Sequence, residues 1–365
     1  MSGAILLTGA TGFLGMETLA RLIDRGERQI VVIVRAEDQD AAQARLTKVW
    51  AQLYEEPPPT AGDVRIVCGD LLQPRLGLSE TDRESLLDSV ERIVHCAASI
   101  SFDMSLEAAR QINVNGLQRM IDLGREIASR GALRRIVHVS TAFVGGCHVG
   151  PFGEDDLDRG QEFRNTYERS KCEGELLLLR AAHDLPGVIA RPSIVVGHSA
   201  SGWTPAFNVI YWLIRAFERG LLEEVPARRD SIVDFVPVDY VTEGMLALLD
   251  APDAHGTYSL VAGAQALCAG ELVELYCTQL GRAPVRFVGQ DTTDGVPRGG
   301  EAYVPYFDVR CSFTDARASE LLQRSGVIKP DPRDYLDRLM KYAHQTRWGK
   351  RPVSRQASMT NAGIA

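Results

Sequence analysis

The sequence predicts an α/β protein built on a doubly wound parallel sheet, with a smaller cap formed by its C-terminal part. Two observations carry that prediction: short β-branched runs alternate with helical patterns through the first half of the chain, and a glycine-rich turn joins the first run to the first helix. Size is a third. With 365 residues, 45% of them hydrophobic, the chain can bury a full core without disulfide staples.

Ala4–Thr8, Gln29–Val34, Val64–Cys68, Arg92–His95, Arg135–Ser140 and Val188–Arg191 read as parallel strands. Between them, Leu14–Arg25, Leu106–Arg130 and Thr166–Ala182 repeat apolar residues every three or four positions, the period of a helix with one buried face. Tyr54 to Gly62, with three consecutive prolines from Pro57, interrupts one crossover as a surface excursion. After Gly197 the alternation weakens, and Gly202–Pro205 and Pro226–Asp230 punctuate a mixed region. Residues 1–197 are therefore expected to form the sheet domain, and 198–347 mostly the cap with some return to the sheet. The polar, unpatterned residues 348–365 are expected to form a flexible tail.

A net charge of -8 leaves no global basic field to gather nucleic acid, so none is expected as a partner. Seven scattered cysteines, Cys68, Cys96, Cys147, Cys172, Cys268, Cys277 and Cys311, never stand in a Cys-x-x-Cys spacing. No metal site is expected, and a reducing cytoplasm is. The opening residues carry no basic leader and no small-residue cleavage site, so a signal peptide is not expected there. The stretch Phe207 to Phe217 is broken by Arg215 and falls short of the roughly 20 apolar residues that a transmembrane helix needs. Oligomerisation is left open.

Thr8-Gly9-Ala10-Thr11-Gly12-Phe13-Leu14-Gly15 ends the first strand and opens the first helix. Gly9 permits a tight turn, Gly12 lets backbone approach a pyrophosphate, and Gly15 allows close helix packing, while the helix start offers free N–H groups to phosphate. A dinucleotide is expected here, lined by Thr11, Phe13 and Leu14. At the end of the second strand an NAD site would carry an acidic residue; this chain has Arg35, with Arg45 one segment later. A guanidinium binds a 2′-phosphate in bidentate fashion, so NADPH is expected over NADH. The rival arrangement has Arg35 solvated and Glu37 or Asp38 swinging in. Asp70 and Leu71 after the third strand, and Ala97-Ala98 after the fourth, are expected against the adenine and ribose, although Asp70 in a Gly-Asp pair is also a common turn former.

Asn165-Thr166-Tyr167-Glu168 reads as a helix start, with Asn165 as N-cap and Glu168 three residues on. Tyr167 and Lys171 then share one helical face. An ammonium within about 4–6 Å would draw the phenol down from about 10 toward working pH, making Tyr167 a usable general acid. Ser140-Thr141 closes the fifth strand at the carboxyl edge, where open α/β sheets place their sites, and Thr141 is the better placed to meet a substrate oxygen. Asn113 is expected to orient Lys171 through backbone or water. Pro192 and Ser193, in the segment Arg191 to Gly197, are expected to offer backbone groups to a nicotinamide carboxamide.

Together the glycine motif, Asn113, Ser140-Thr141-Ala142, the Tyr167/Lys171 pair and Arg191-Pro192-Ser193 resemble the extended short-chain dehydrogenases. More narrowly, Leu7 to Gly15, Val34-Arg35-Ala36, His95-Cys96-Ala97-Ala98 and Val139-Ser140-Thr141-Ala142 resemble fatty acyl-CoA reductases and the thioester reductase domains of carboxylic acid reductases and peptide synthetases. The resemblance covers roughly the first 200 residues and only loosely the rest. It implies a Rossmann NADP-binding domain and a substrate-binding cap. It also implies reduction of an acyl thioester, on CoA or an acyl carrier protein, to the aldehyde, with alcohol as the product of a second turn. Phe143 stands where many relatives carry tyrosine. Two other readings stay open: the same machinery acting on a secondary alcohol or ketone, and a nucleotide-sensing regulator without catalysis.

For the substrate, Trp203, Phe207 and Tyr211 are expected to join Ser140 and Phe143. Phe207, Ile210, Tyr211 and Ile214 make one face of a helix, and Val209, Trp212, Leu213 and Phe217 make another apolar. Such a helix either packs as cap core or lines an acyl-chain channel. Arg228-Arg229 is read either as a contact for a CoA phosphate or as a solvated turn.

Overall fold

The computed structural model describes residues 3–56, 58, 62–219, 224–225, 227–283, 285–288 and 301–364. Strands β1 (Ala4–Thr8), β2 (Ile30–Val34), β3 (Val64–Cys68), β4 (Val90–His95) and β5 (Arg135–Val139) arise from the β-branched runs. They are followed by the short β6 (Gly150–Phe152), then β7 (Gly187–Pro192), β8 (Ile194–Val196), β9 (Glu224–Val225), β10 (Ile232–Val233), β11 (Phe235–Pro237) and β12 (Gly256–Leu260). Seven of these form one parallel sheet in the order β12-β7-β5-β4-β1-β2-β3. The chain winds outward from β1 through β2 to β3, then returns to β4 and winds the other way. The carboxyl ends of β1 and β4 therefore flank the crevice where such sheets bind ligands.

Every residue of β1, β2 and β5 is buried. A parallel sheet needs both faces covered, and the alternation of side chains divides the core in two. Ile5, Leu7, Val32 and Val34 pack with α1 (Phe13–Asp24), α2 (Gln39–Leu53) and later α8 (Val238–Asp250). Leu6, Val31, Ile33 and Ile93 pack with α3 (Glu80–Ser89), with α5 (Asn115–Ser129) beyond the short α4 (Leu106–Asn113), and with α6 (Thr166–Ala181). The periodicity of residues 106–130 predicts one helix; the backbone breaks at Val114 (φ -102°, ψ -59°), so α4 and α5 are separate. Apolar spacing survives a break of one residue, which is why the pattern alone runs through it.

The C-terminal part supplies α7 (Ile210–Glu218), α9 (Ala269–Leu280), α10 (Ala316–Arg324), α11 (Pro332–Gln345) and α12 (Arg355–Asn361). The cap core gathers Ile210, Tyr211 and Ile214 of α7 with Leu272 and Tyr276 of α9 and Tyr335, Leu336 and Leu339 of α11. The prediction of a flexible tail needs correction. Arg355, only 6% exposed, donates to both carboxylate oxygens of fully buried Glu17 on α1, and pins α12 to the sheet domain. In the prolyl excursion, residues 57 and 59–61 lie outside the described residues, as does residue 226 in the expected turn at 226–230. Among the described residues no helix is long and apolar enough to cross a membrane.

Candidate active site

The glycine turn shows why three positions must lack a side chain. Gly9 adopts φ +81°, and a Cβ there would lie 2.7 Å from the backbone nitrogen of Ala97. A Cβ on Gly15 would lie 2.1 Å from the carbonyl oxygen of Gly9. Gly12 has a different reason: it is exposed and caps α1 with no side-chain hydrogen bond, so the first N–H groups of the helix face outward. That is a cradle shaped for a phosphate anion. The β4 exit closes its other side, where the Ala97 N–H donates to Thr8 Oγ1 at 3.3 Å.

Arg35 is exposed at the end of β2, and Arg45 on α2 donates to the Arg35 carbonyl and, at 3.3 Å, to Thr11 Oγ1 in the glycine turn. Both guanidinium-bearing residues thus border the same turn. Asp38 accepts the Ala41 N–H at 2.8 Å as the N-cap of α2, which occupies the carboxylate of one rival acid. Asp70 and Leu71 behave otherwise than expected. Asp70 Oδ1 accepts the Leu72 N–H at 2.9 Å, as a turn former does, and Leu71 lies against Gly116 of α5, 3.2 Å from where its Cβ would be.

At the carboxyl edge of β5, Thr141 is 4% exposed, and its Oγ1 accepts the Phe143 N–H at 3.2 Å. The Thr141 side chain is among the groups that act on the Tyr167 phenol, drawing it down, so the two residues singled out from the sequence lie beside each other. Asn165 caps α6 by accepting the Glu168 N–H at 3.0 Å, which fixes the first turn and thereby Tyr167. Burial pushes the phenol up to about 12, more than Thr141 lowers it. The expected ammonium effect on the phenol needs correction. Lys171 turns into the sheet, donates to the Val139 carbonyl at 2.6 Å and lies 3.3 Å from His138 Nε2. Burial draws its amine down to about 8.

Asn113 also acts elsewhere than predicted. Its amide donates to Ser99 O at 3.0 Å and Ser170 Oγ at 2.9 Å, and its oxygen accepts the Ser99 N–H at 2.8 Å. It ties the loop after β4 to α6 instead of reaching Lys171. Pro192 ends β7, and the backbone amides beyond it are taken: Ser193 N–H donates to Leu260 of β12 at 3.4 Å, and Ile194 N–H to Asp234 at 3.3 Å. The sheet's outermost strand takes the first of these amides, and the backbone just before β11 takes the second. Ser140 is 3% exposed with its hydroxyl unpartnered.

Trp203 and Tyr211 are core, not channel. Trp203 is 1% exposed, with its ring edge-on to Phe13 at 5.9 Å. Tyr211 is 2% exposed, and its hydroxyl accepts the Gly197 N–H at 2.9 Å. Phe207 packs on Tyr211, on Tyr342 of α11 and on Trp348. The side chains of Leu213 and Phe217 lie outside the described residues. Arg228 pairs with Asp230, and Arg229 with Glu274, as exposed ion pairs.

Sequence reasoning missed the groups that adjoin Tyr167. Phe102, from the loop after β4, lies 6.0 Å from the Tyr167 ring and stacks on Tyr306 at 5.3 Å; Tyr306 also meets Phe143 edge-on at 5.3 Å. Tyr306 accepts from Asn165 Nδ2 at 2.8 Å, so residues 301–308 lean on the start of α6. His95 and His138 were also missed, although His95 ends β4 and His138 is paired with it in β5, at the edge already marked by Thr8 and Thr141.

A family model described as Male sterility protein matches residues 7–245. Fatty acyl-CoA reductase 1 of Mus musculus is 31% identical over 278 residues, which are 67% of this chain and 53% of that protein. The fatty acyl-CoA reductase wat of Drosophila melanogaster is 29% identical over 280 residues, again 67% of this chain and 53% of that protein. The chain spans about half the length of these curated relatives. Among solved structures, the terminal R domain from the myxalamid PKS-NRPS biosynthetic pathway superposes with a TM-score of 0.80 at 25% identity, covering 97% of this chain and 93% of that one. UDP-glucuronic acid 4-epimerase from Bacillus cereus, solved with NAD, gives a TM-score of 0.67 at 19% identity over 94% of this chain and 99% of that one, a likeness of fold alone.

Proposed function

The chain belongs to the Male sterility protein family, and on that premise we propose that it reduces acyl thioesters with NADPH, releasing the thiol and the aldehyde. The observation that supports the reading is the placement of Tyr167 beside Thr141 at the carboxyl edge of β5, one strand from the crevice that the glycine turn enters. The residues fit a dinucleotide: the turn at Gly9, Gly12 and Gly15 leaves room that any Cβ would fill or narrow, and the start of α1 offers N–H groups to the pyrophosphate. Arg35 and Arg45 would hold the 2′-phosphate that distinguishes NADPH from NADH. When bound, the cofactor supplies the hydride.

The chain's own residues do the rest. Thr141 and Tyr167 direct their hydroxyls at one oxygen position, where the thioester carbonyl gathers negative charge as its carbon turns tetrahedral. A phenol at about 12 keeps its proton at neutral pH, so Tyr167 enters the reaction as an acid and donates to that oxygen. When the carbon–sulfur bond breaks, the carbonyl reforms and the thiol leaves with a proton. Lys171 contributes a buried positive charge held at the Val139 carbonyl, and Phe102, Phe143 and Tyr306 supply an apolar wall beside the phenol. CoA and a carrier protein both present the same thioester, and fatty acyl-CoA reductases and peptide-synthetase reductase domains among the relatives support either donor.

A panel of acyl-CoA and acyl-carrier thioesters, with NADPH and NADH side by side, tests the proposal. The expected result is NADPH oxidation with one free thiol released per aldehyde formed. Turnover of ketones or secondary alcohols without thiol release, or no oxidation with any thioester, would overturn it.

A further inference from the structure

Four groups stand in file across the sheet, and three of them, Thr8, His95 and His138, have no part in the proposed chemistry. Thr8 of β1, His95 of β4 and His138 of β5 occupy paired register positions, and Lys171 reaches them from α6. All four are at most 2% exposed. Thr8 Oγ1 and His95 Nδ1 are 2.7 Å apart, the two imidazoles stack at 5.3 Å with planes 25° apart, and His138 Nε2 faces Lys171 Nζ at 3.3 Å. The file thus runs from the residue before Gly9 to the cation of the catalytic helix.

An ammonium can only donate, so His138 Nε2 must accept and the ring proton must sit on Nδ1. His138 Nδ1 is buried with no hydrogen-bond partner. A fold that leaves a buried donor unpaired to present the acceptor on the other side of the ring is giving that acceptor priority. Burial, with Lys171 and His95 nearby, holds the His138 imidazole well below its ordinary range and therefore neutral. His95 is held down to about 3 by burial and by Lys171, so it adds no competing charge.

We propose that His138 is a positioning residue for Lys171: its neutral ring and the Val139 carbonyl take two N–H groups of the ammonium and keep the lysine charged where water does not reach. The other titratable groups facing the amine are Cys96 at the end of β4 and Glu175 one turn along α6, the latter committed to Arg191 through hydrogen bonds of 2.6–3.0 Å. With that carboxylate shared, the two neutral acceptors are the nearest compensation for the buried charge. The proposal rests on reading Lys171 as the cation of a reductase site.

The chain has only five lysines, Lys48, Lys171, Lys329, Lys341 and Lys350, so lysine labelled with 13C at Cε gives a spectrum in which each titrates separately. Loss of one signal in Lys171→Met assigns it. In the parent, Lys171 is expected to titrate near 8. His138→Phe keeps a stacking ring but removes the acceptor, and should lower that midpoint by roughly one pH unit, a tenfold change in proton affinity. The alkaline limb of kcat/KM for NADPH-dependent reduction should move with it. His138→Gln, whose Oε1 can take the place of Nε2, should restore both. An unmoved midpoint in His138→Phe, or a uniform fall in turnover at every pH, would make His138 packing alone and overturn the proposal. The titration needs no substrate, so it still decides if no thioester is turned over.

Discussion

Replacing Arg355 by methionine tests the interaction that docks the C-terminal helix; Arg355 also pairs with half-exposed Asp24 at 3.1 Å, but its buried partner is Glu17. Glu17 is fully buried on α1, and Arg355 donates to its two oxygens at 2.7 and 3.1 Å, with Arg21 on Oε1 at 2.9 Å. Burial alone would raise the Glu17 carboxyl. Arg355 foremost, with Arg21 and His198, outweighs burial and holds it below its ordinary 4.5. Breaking one side of a buried pair costs about 3–5 kcal/mol, and the surviving Arg21 contact places Arg355→Met near the lower end, about 3 kcal/mol. For a chain this large that corresponds to a fall of roughly 4 °C in Tm.

The pH dependence has a definite sign. In the parent, a depressed carboxyl stabilises the fold above 4.5, and the contribution is lost as pH falls through the native value. In Arg355→Met, burial outweighs the remaining partners and raises the carboxyl, so the penalty is full at neutral pH and fades as acidification protonates Glu17. Melting curves by circular dichroism from pH 8 down to 5 should therefore show the gap between parent and variant narrowing. Glu17→Met combined with Arg355→Met removes both charges and should regain most of the loss. A variant that melts within about 1 °C of the parent at pH 7.5 would refute the reasoning and return residues 348–364 to the status of a tail.

Three further outcomes are expected. Tyr167→Phe should lower kcat by roughly 100-fold or more while leaving NADPH affinity, read by fluorescence titration, within about twofold. Arg35→Ala with Arg45→Ala should cut the NADPH-over-NADH preference in kcat/KM by roughly 10–100-fold, the loss of a charge-assisted contact to a phosphate. Gly15→Ala would set a Cβ 2.1 Å from the Gly9 carbonyl, so the turn must open; dinucleotide binding by calorimetry should fall at least tenfold, and an unchanged Kd would contradict the packing described.

What could be read from the sequence was local. The glycine spacing needs only the strand before it and the helix after it, and the Tyr167/Lys171 pair needs only a helical turn, so both were legible from neighbours in the chain. What escaped depends on groups brought together from far apart. His138 belongs to Lys171 only once the register of β4 and β5 and the docking of α6 are known. The direction of Lys171 followed from that, and with it the failure of the simple expectation that an ammonium lowers the phenol. Strand β12, Gly-Thr-Tyr-Ser-Leu, lacks a β-branched run and lies 64 residues beyond the end of β7, past the start of the cap. Because it was missed, the amide of Ser193 looked available for a ligand.

The same long-range pairing explains why cap and sheet cannot be divided at a single residue. Helix α8 packs Val241, Met245 and Leu248 into the core that holds Leu19 and Val137, while β12 hydrogen-bonds to β7 along its whole length. Helix α12, further on, answers a carboxylate buried in the first helix. The chain leaves the sheet to build α7, α9, residues 301–308 and α11, but it is returned to the sheet between them. Each return ties a cap element to a site element: Trp203 to Phe13 beside the glycine turn, and Tyr306 to Asn165 at the start of the catalytic helix. A substrate held by the cap therefore presses on the two places where the proposed chemistry is set, the phosphate cradle and the phenol. Selection of the acyl group and positioning of the reacting oxygen are on this argument one packing problem, so substitutions at Phe102 or Tyr306 should alter kcat and KM together.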